Sequence, residues 1–406
     1  MQEYSRQLSN SSGPACQAGV SADDTSSSNL CTCSSFMRHS KSDGAQSLPT
    51  LPLHPHSLVS SLCASTQSVQ RVLTTNGATA RRRKRTVIDL QNLKRQGVPI
   101  TMLTAHDFSS ARFIEAASQA LAAPETPASG SGSSSTQAGT TKAGKPLPGG
   151  VDICLIGDSL AMVALGHDTT VALTLEEMMH HCRAVARGCP SAFRVADLPF
   201  GSYLADTSAA AAAAFRLVQE GRVDAVKIEG GVENIPLIQR LIKHGVPVMA
   251  HIGLMPQRTA ALGGYRIQGR GAGAAKELLR EALELEASGA FAVLIEAVPA
   301  KVAEYISQRL TIPTIGIGAG SGCDGQVLVQ LDMLGARSLA RQPRFLKTYM
   351  DLEALATDAI REYIKDVRGR QFPAQEHEYE IGEAEWQEFV SQAHADDASS
   401  EGKSSS

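Results

Sequence analysis

From Val98 onward, short apolar and β-branched runs alternate with longer stretches of helical period. Runs at 100–104, 152–156, 193–196, 225–228, 246–250, 292–295, 314–317 and 326–330 have the length and composition of strands. Between them, 208–220 carries six consecutive alanines, and 275–288 places Leu278, Leu279, Ala282, Leu283 and Leu285 at helical spacing. Alternating strands and helices point to βα repeats and a parallel sheet. Eight such runs suggest an α/β fold of the closed (β/α)8, or TIM, barrel kind. A barrel needs about 250 residues, so 406 residues at 43% hydrophobic content accommodate one catalytic domain with tails.

The pattern also sets boundaries. The barrel domain is expected over 87–380, interrupted at about 124–150 by a Ser/Thr/Gly/Pro-rich stretch that reads as a flexible surface insertion. A lid is the alternative role for that insertion. Near the end, 352–367 reads as a helix with Leu355, Ile360, Tyr363 and Ile364 on its apolar side, and 381–406 as an acidic, then Ser-rich tail without order. Residues 1–86 show little hydrophobic periodicity and close with the basic run Arg81-Arg82-Arg83-Lys84-Arg85, so they are expected to form a disordered basic extension.

Charge changes the picture mainly for that extension. The chain has a formal net charge of −3, yet 1–86 holds nine Lys/Arg against four Asp/Glu, which leaves the barrel acidic. Between Met37 and Thr86 the single acid is Asp43, and Leu58, Leu62, Val69, Val72 and Leu73 can form one apolar face. This composition fits a transit peptide and mitochondrial import, with the cytoplasm as the alternative. A nuclear or nucleic-acid signal is the rival reading of the basic run, disfavoured because no aromatic residue interleaves it. Eight cysteines without a CxxC pair suggest buried thiols in a reducing compartment rather than zinc or disulfides. No apolar run approaches the roughly 18 residues of a membrane span.

In such a barrel the reaction takes place where the strands end, so the residues after each apolar run matter most. They are Asp107, then Asp158 and Ser159, Asp197, Lys227 and Glu229, His251, and Glu296. Loops begin at strand ends and are often polar, which explains any one of them. It explains the set less well, because several carboxylates converging on one mouth repel each other unless a cation compensates. Hard oxygen donors without a Cys/His cluster favour Mg²⁺.

Those residues sit in recognisable strings: LIGDSL at 155–160, GHDT at 166–169, ADLPF at 196–200, VKIEGG at 226–231, VMAHIGLMPQ at 248–257 and GGYRIQGR at 263–270. LIE at 294–296, IPTIGIGAG at 312–320, DGQ at 324–326, FP at 372–373 and EH at 376–377 follow in order. Together, over roughly 90–377, they closely resemble the ketopantoate (3-methyl-2-oxobutanoate) hydroxymethyltransferase family, in a fungal-type form with an N-terminal extension. The resemblance implies a barrel of the phosphoenolpyruvate/pyruvate type. It implies that Mg²⁺ and 5,10-methylenetetrahydrofolate convert 3-methyl-2-oxobutanoate into 2-dehydropantoate, on the way to pantothenate, through a Mg-stabilised enolate. Asp158, Asp197 and Glu229 match the metal positions, with Glu229 acting directly or through a water. Asp158, Ser159, Asp197 and Lys227 match the substrate contacts, Glu296 matches the proton acceptor, and His251 stands behind them. The implied partners are a keto acid, a folate and further copies of the chain, up to a decamer, with neither nucleic acid nor membrane.

Three other signals compete. Gly320 to Gly325 satisfies GxGxxG but does not clearly open a helix, so a close-backbone loop is preferred to a dinucleotide site. His180 and His181 are adjacent on a helix, point apart and read as a solvated face. A lyase on the same fold would commonly need a cysteine in a mobile loop, and Cys182, Cys189 and Cys323 lie in no such motif. A non-catalytic scaffold with a nucleic-acid-binding tail is disfavoured by the intact set of strand-end carboxylates.

Overall fold

The computed structural model describes residues 82–122, 149–336 and 342–401. The readings of 1–81, of most of the 124–150 insertion and of the last five residues lie outside these. Eight parallel strands, β1 (Ile100–Thr104), β2 (Ile153–Ile156), β3 (Phe193–Asp197), β4 (Ala225–Glu229), β5 (Val248–Gly253), β6 (Ala292–Glu296), β7 (Thr314–Ile317) and β8 (Gly325–Leu328), close in sequence order into a barrel. β5 begins two residues later than its apolar run because Pro247 has no N–H to donate and serves only as acceptor for Val226. β3, β4 and β6 each run one residue further than the apolar pattern, to end on Asp197, Glu229 and Glu296.

Side chains alternate across each strand, so one parity faces the barrel axis and the other faces the surrounding helices. Cys154, Ala196, Val226, Ile228, Ala250 and Val293 belong to the apolar layer shared with the helices. Ile153, Val195, Ala225, Met249, Ala292 and Leu294 fill the interior. Asp197, Lys227, Glu229, His251 and Glu296 share the interior parity, two or four residues beyond those apolar residues. Register then stacks them, since Asp197 is level with Lys227 and Glu229 with His251. An apolar floor under a charged layer follows from pattern and register alone.

The floor is closed by the helix Val87–Gln96, whose Leu90 and Leu93 are buried among Phe193 and Phe291, an edge-to-face pair at 5.5 Å. Its start is fixed by a reciprocal capping box between Thr86 and Asp89, and its end by Gly97 at φ 67°, a conformation that glycine adopts without a Cβ penalty. The expected boundary at 86 needs correction here. Arg82 and Arg85 both reach Asp152 Oδ1, at 3.2 and 3.0 Å, and the Arg82 and Asp152 side chains are 8% and 3% exposed. Lys84 pairs with Asp224 at 2.6 Å. A buried carboxylate requires compensation, and the described part of the basic run supplies it, so the folded domain starts no later than Arg82.

The C-terminal end also differs from expectation. Glu383–Glu401 is a helix rather than a disordered tail. Leu352–Arg368 is the anticipated helix, capped by Asp351, but none of its residues is buried, and Leu355, Ile360, Tyr363 and Ile364 are exposed. Near β8 and β1 lies a groove of about 600 Å³ whose lining includes Val327, Met333 and Tyr349. Cys154, Cys182 and Cys189 are free and buried, as apolar packing predicts. Among the described residues no helix is long and apolar enough to cross a membrane.

Candidate active site

Asp158 follows β2 directly, on the turn Gly157-Asp158-Ser159 that enters the short helix Leu160–Val163. Its backbone N–H donates to Asp197 Oδ2 at 3.0 Å, tying the ends of β2 and β3 together. Ser159 makes no capping hydrogen bond with its hydroxyl, which leaves the Oγ available to a ligand. Across the floor of the mouth Lys227 Nζ contacts Asp197 Oδ1 at 3.0 Å and approaches His251 Nδ1 at 3.4 Å. On the far side His251 Nε2 lies 3.3 Å from Glu296 Oε2. Asp158, Asp197, Lys227, Glu229 and His251 are each buried, whereas the Glu296 side chain keeps 15% exposure. Of the eight residues singled out at the strand ends, seven, Ser159 included, therefore fall at one mouth, and Asp107 serves elsewhere. Asp107 caps the helix Phe108–Ala122 by accepting from Ser110 N at 2.7 Å.

Burial without enough countercharge sets the electrostatics. Burial raises the Asp197 and Glu229 carboxyls; Lys227 opposes the shift at both, and Asp158 adds to it. Lys227 shows the reverse balance: burial would strip its proton, but Asp197, Glu229 and Asp158 outweigh burial and hold the ammonium. His251 is driven well below its usual range by burial and then by Lys227, so the imidazole is neutral. Burial pushes Glu296 up to about 7, against a smaller opposing pull from Lys227. A carboxyl near neutrality has the basicity expected of a general base.

A divalent cation suits these donors. Asp197 Oδ1 and Glu229 Oε1 are buried and lack a well-formed hydrogen bond, while the other oxygen of each accepts a backbone N–H, from Asp158 and Gln257. Asp158 likewise gives one oxygen, Oδ2, to the Gln257 side chain. Among the described residues no three His, Cys, Asp or Glu side chains converge closely enough to enclose an ion by themselves. Mg²⁺ does not need such a cage, because it keeps several waters and takes one or two carboxylates together with substrate oxygens.

Two residues of this network were not singled out from the sequence, Gln257 and Tyr203. Both are uncharged, and Gln257 stood at the end of a quoted motif. The competing signals resolve differently. Gly320 to Gly325 leads straight from β7 into β8 with no helix to receive a dinucleotide phosphate. His181 is half-buried and hydrogen-bonds the backbone carbonyl of His106 through Nδ1, while His180 is exposed.

Comparison with known proteins bears on the same residues. Residues 136–375 match the family described as Ketopantoate hydroxymethyltransferase. A 3-methyl-2-oxobutanoate hydroxymethyltransferase of Emericella nidulans is 46% identical over 309 residues, covering 76% of this chain and 79% of that protein. One from Oleidesulfovibrio alaskensis is 52% identical over 248 residues, covering 60% and 86%. A phosphonopyruvate hydrolase solved with oxalate and Mg++ is 14% identical with a TM-score of 0.42, over 77% of this chain and 98% of that one, too distant to bear on chemistry. With the matched region spanning more than half of the chain and all seven strand-end residues of the mouth, this protein belongs to the ketopantoate hydroxymethyltransferase family.

Proposed function

We propose that the chain transfers a hydroxymethyl group to 3-methyl-2-oxobutanoate, forming 2-dehydropantoate for pantothenate synthesis, with 5,10-methylenetetrahydrofolate as the one-carbon donor. The observation that carries this reading is the buried Lys227 held charged among three carboxylates, with Glu296 raised to about 7 across His251. The names of the relatives supply the substrate.

Asp158 and Asp197, with Glu229 directly or through a water, are the residues that would hold Mg²⁺. Bound there, the ion supplies Lewis-acid stabilisation of negative charge on the keto-acid oxygens. The ammonium of Lys227 balances the substrate carboxylate, and Ser159 Oγ donates a hydrogen bond to the same ligand. Glu296 Oε takes the proton from C3. His251, neutral and set between Lys227 and Glu296, offers its Nε2 proton on the side of that carboxyl. C3 then forms its new bond to the one-carbon unit. The sum is keto acid, methylenetetrahydrofolate and water giving 2-dehydropantoate and tetrahydrofolate.

An assay of 3-methyl-2-oxobutanoate with methylenetetrahydrofolate and Mg²⁺, run with and without chelator, tests the reading. Formation of 2-dehydropantoate that stops with chelator and returns with Mg²⁺ is expected. No product with all three components present would overturn the function, and activity indifferent to chelator would overturn the metal assignment alone.

Assembly of identical copies is supported by the exposed apolar side chains of Leu352–Arg368, and light scattering of the purified chain tests it. Import into mitochondria is supported by the composition of 37–86. A leader cleaved before Arg82 would preserve the contacts to Asp152, whereas a tagged protein that stays cytosolic with an intact N-terminus would remove the import reading.

A further inference from the structure

We infer that Gln257 is a positioning residue that sets the spacing and orientation of the carboxylates at the cation site, with Tyr203 fixing its amide. The inference rests on the metal assignment above and concerns residues that assignment does not use.

Gln257 stands on the turn after β5 and is 5% exposed. Its hydrogen bonds run to three other strand ends. The side-chain Nε2 donates to Asp158 Oδ2 at 2.8 Å, beyond β2, and to the Leu198 carbonyl at 3.0 Å, beyond β3. Its backbone N–H donates to Glu229 Oε2 at 3.0 Å, on β4. Both amide protons are therefore used only if Oε1 faces the opposite way. The two acceptors facing Nε2 enforce that orientation, and Tyr203 supports it by donating its hydroxyl to Gln257 Oε1 at 2.7 Å, the same hydroxyl standing 3.1 Å from the Glu229 carbonyl. A flipped amide would set Oε1 against two acceptors, the Asp158 carboxylate and the Leu198 carbonyl, which leaves buried polar atoms unpaired.

The consequence lies in the division of oxygens. Gln257 occupies one oxygen on Asp158 and one on Glu229, and the Asp158 N–H occupies one on Asp197. Of the remaining oxygens, Glu229 Oε1 makes no hydrogen bond, and Asp197 Oδ1 faces only the Lys227 ammonium, at 3.0 Å and without a well-formed hydrogen bond. A neutral amide does this without adding positive charge, so the electrostatic demand for a cation is left intact. A lysine or arginine at 257 could hold the same carboxylates but would remove the reason for binding one. Groups that orient metal ligands from behind are worth about 10- to 100-fold in metal affinity.

The test is Mn²⁺ binding to the metal-stripped, substrate-free chain, followed by loss of the free-ion paramagnetic resonance signal. Gln257→Met keeps the side-chain length and the backbone N–H but lacks the amide. It is expected to weaken Mn²⁺ binding by about 10- to 100-fold. Tyr203→Phe is expected to weaken it in the same direction by roughly fivefold, the worth of one net hydrogen bond. Circular dichroism and thermal unfolding of the stripped proteins show whether each variant is folded. Folded Gln257→Met with affinity within twofold of the parent overturns the inference. Should that variant fail to fold, Tyr203→Phe decides, and unchanged affinity there overturns it equally. A parent chain that binds no Mn²⁺ overturns the metal assignment itself, a result separate from parity between parent and variants.

Discussion

His251 Nε2 faces Glu296 Oε2 at 3.3 Å, while Lys227 Nζ approaches the opposite ring nitrogen at 3.4 Å. An ammonium has only protons to offer, so Nδ1 is the acceptor and the proton of the neutral ring sits on Nε2, on the side of the carboxyl but not in a well-formed hydrogen bond to it. The assignment follows from the neighbours and makes Lys227, His251 and Glu296 one line of contacts. Each end of that line can be tested.

Glu296 acts as a base only when ionised, and its carboxyl is raised to about 7. Exchange of the C3 proton of 3-methyl-2-oxobutanoate with solvent should climb with pH below about 7 and level off above it. Glu296→Gln should lower that exchange by about 10²- to 10⁴-fold, while the keto acid still binds. Undiminished exchange would take Glu296 out of the role.

The same shift makes a stability prediction. In the unfolded chain this carboxyl ionises near its ordinary value of 4.5, whereas the folded chain keeps the proton up to about 7. Between those values the unfolded state binds fewer protons, so stability contributed through this group falls as pH rises. The metal-free protein should lose thermal stability from pH 4.5 to 7, and Glu296→Gln should flatten that decline. An identical slope in the variant would rule the group out as its source.

Removing the ring donor should act through Glu296 rather than through folding. His251→Phe takes away a ring N–H 3.3 Å from the carboxyl, and if that contact tightens to a hydrogen bond when the keto acid is bound, the midpoint of the exchange profile should move to higher pH. A lower plateau with an unmoved midpoint would show that the imidazole does not bear on Glu296.

Lys227→Met leaves Asp197 buried without its partner at 3.0 Å, in company with Glu229 and Asp158. Breaking a buried pair on one side costs about 3–5 kcal/mol, visible as a lower melting temperature of the metal-free protein. Saturating Mg²⁺ should recover part of that loss, because a cation that binds only the folded state stabilises it. Equal losses with and without Mg²⁺ would argue against a cation among these carboxylates.

At the other end of β2, Asp152→Asn should strand Arg82 and Arg85, again at about 3–5 kcal/mol. Asp152 and Asp158 stand at opposite ends of that strand, so turnover well below the melting temperature should be unaffected. A variant that melts with the parent would return the basic run to the extension.

Much of this protein was legible in its sequence for a definite reason. Continuous apolar runs of strand length, separated by helical periods, admit few folds other than a barrel, and a barrel reacts where its strands end. That singled out Asp158, Ser159, Asp197, Lys227, Glu229, His251 and Glu296: strand alternation turns the last five toward the axis once the apolar residues before them face it, and Asp158 and Ser159 stand on the turn that leaves β2. What the sequence left open depends on contacts between distant segments. It could not assign Arg82 and Arg85 to Asp152, because a basic run has the same appearance whether solvated or buried against a carboxylate. The roles of Gln257 and Tyr203 were hidden because an uncharged side chain gives no signal until its hydrogen-bond partners are known, and those partners stand on other strands. Asp107 shared the position of the catalytic set, but local geometry made it a helix cap. Pattern and parity thus determined the barrel and the layer where the charges lie, whereas only the tertiary structure decided which oxygens are held and which are left free, since that depends on pairings between strand ends far apart in the chain.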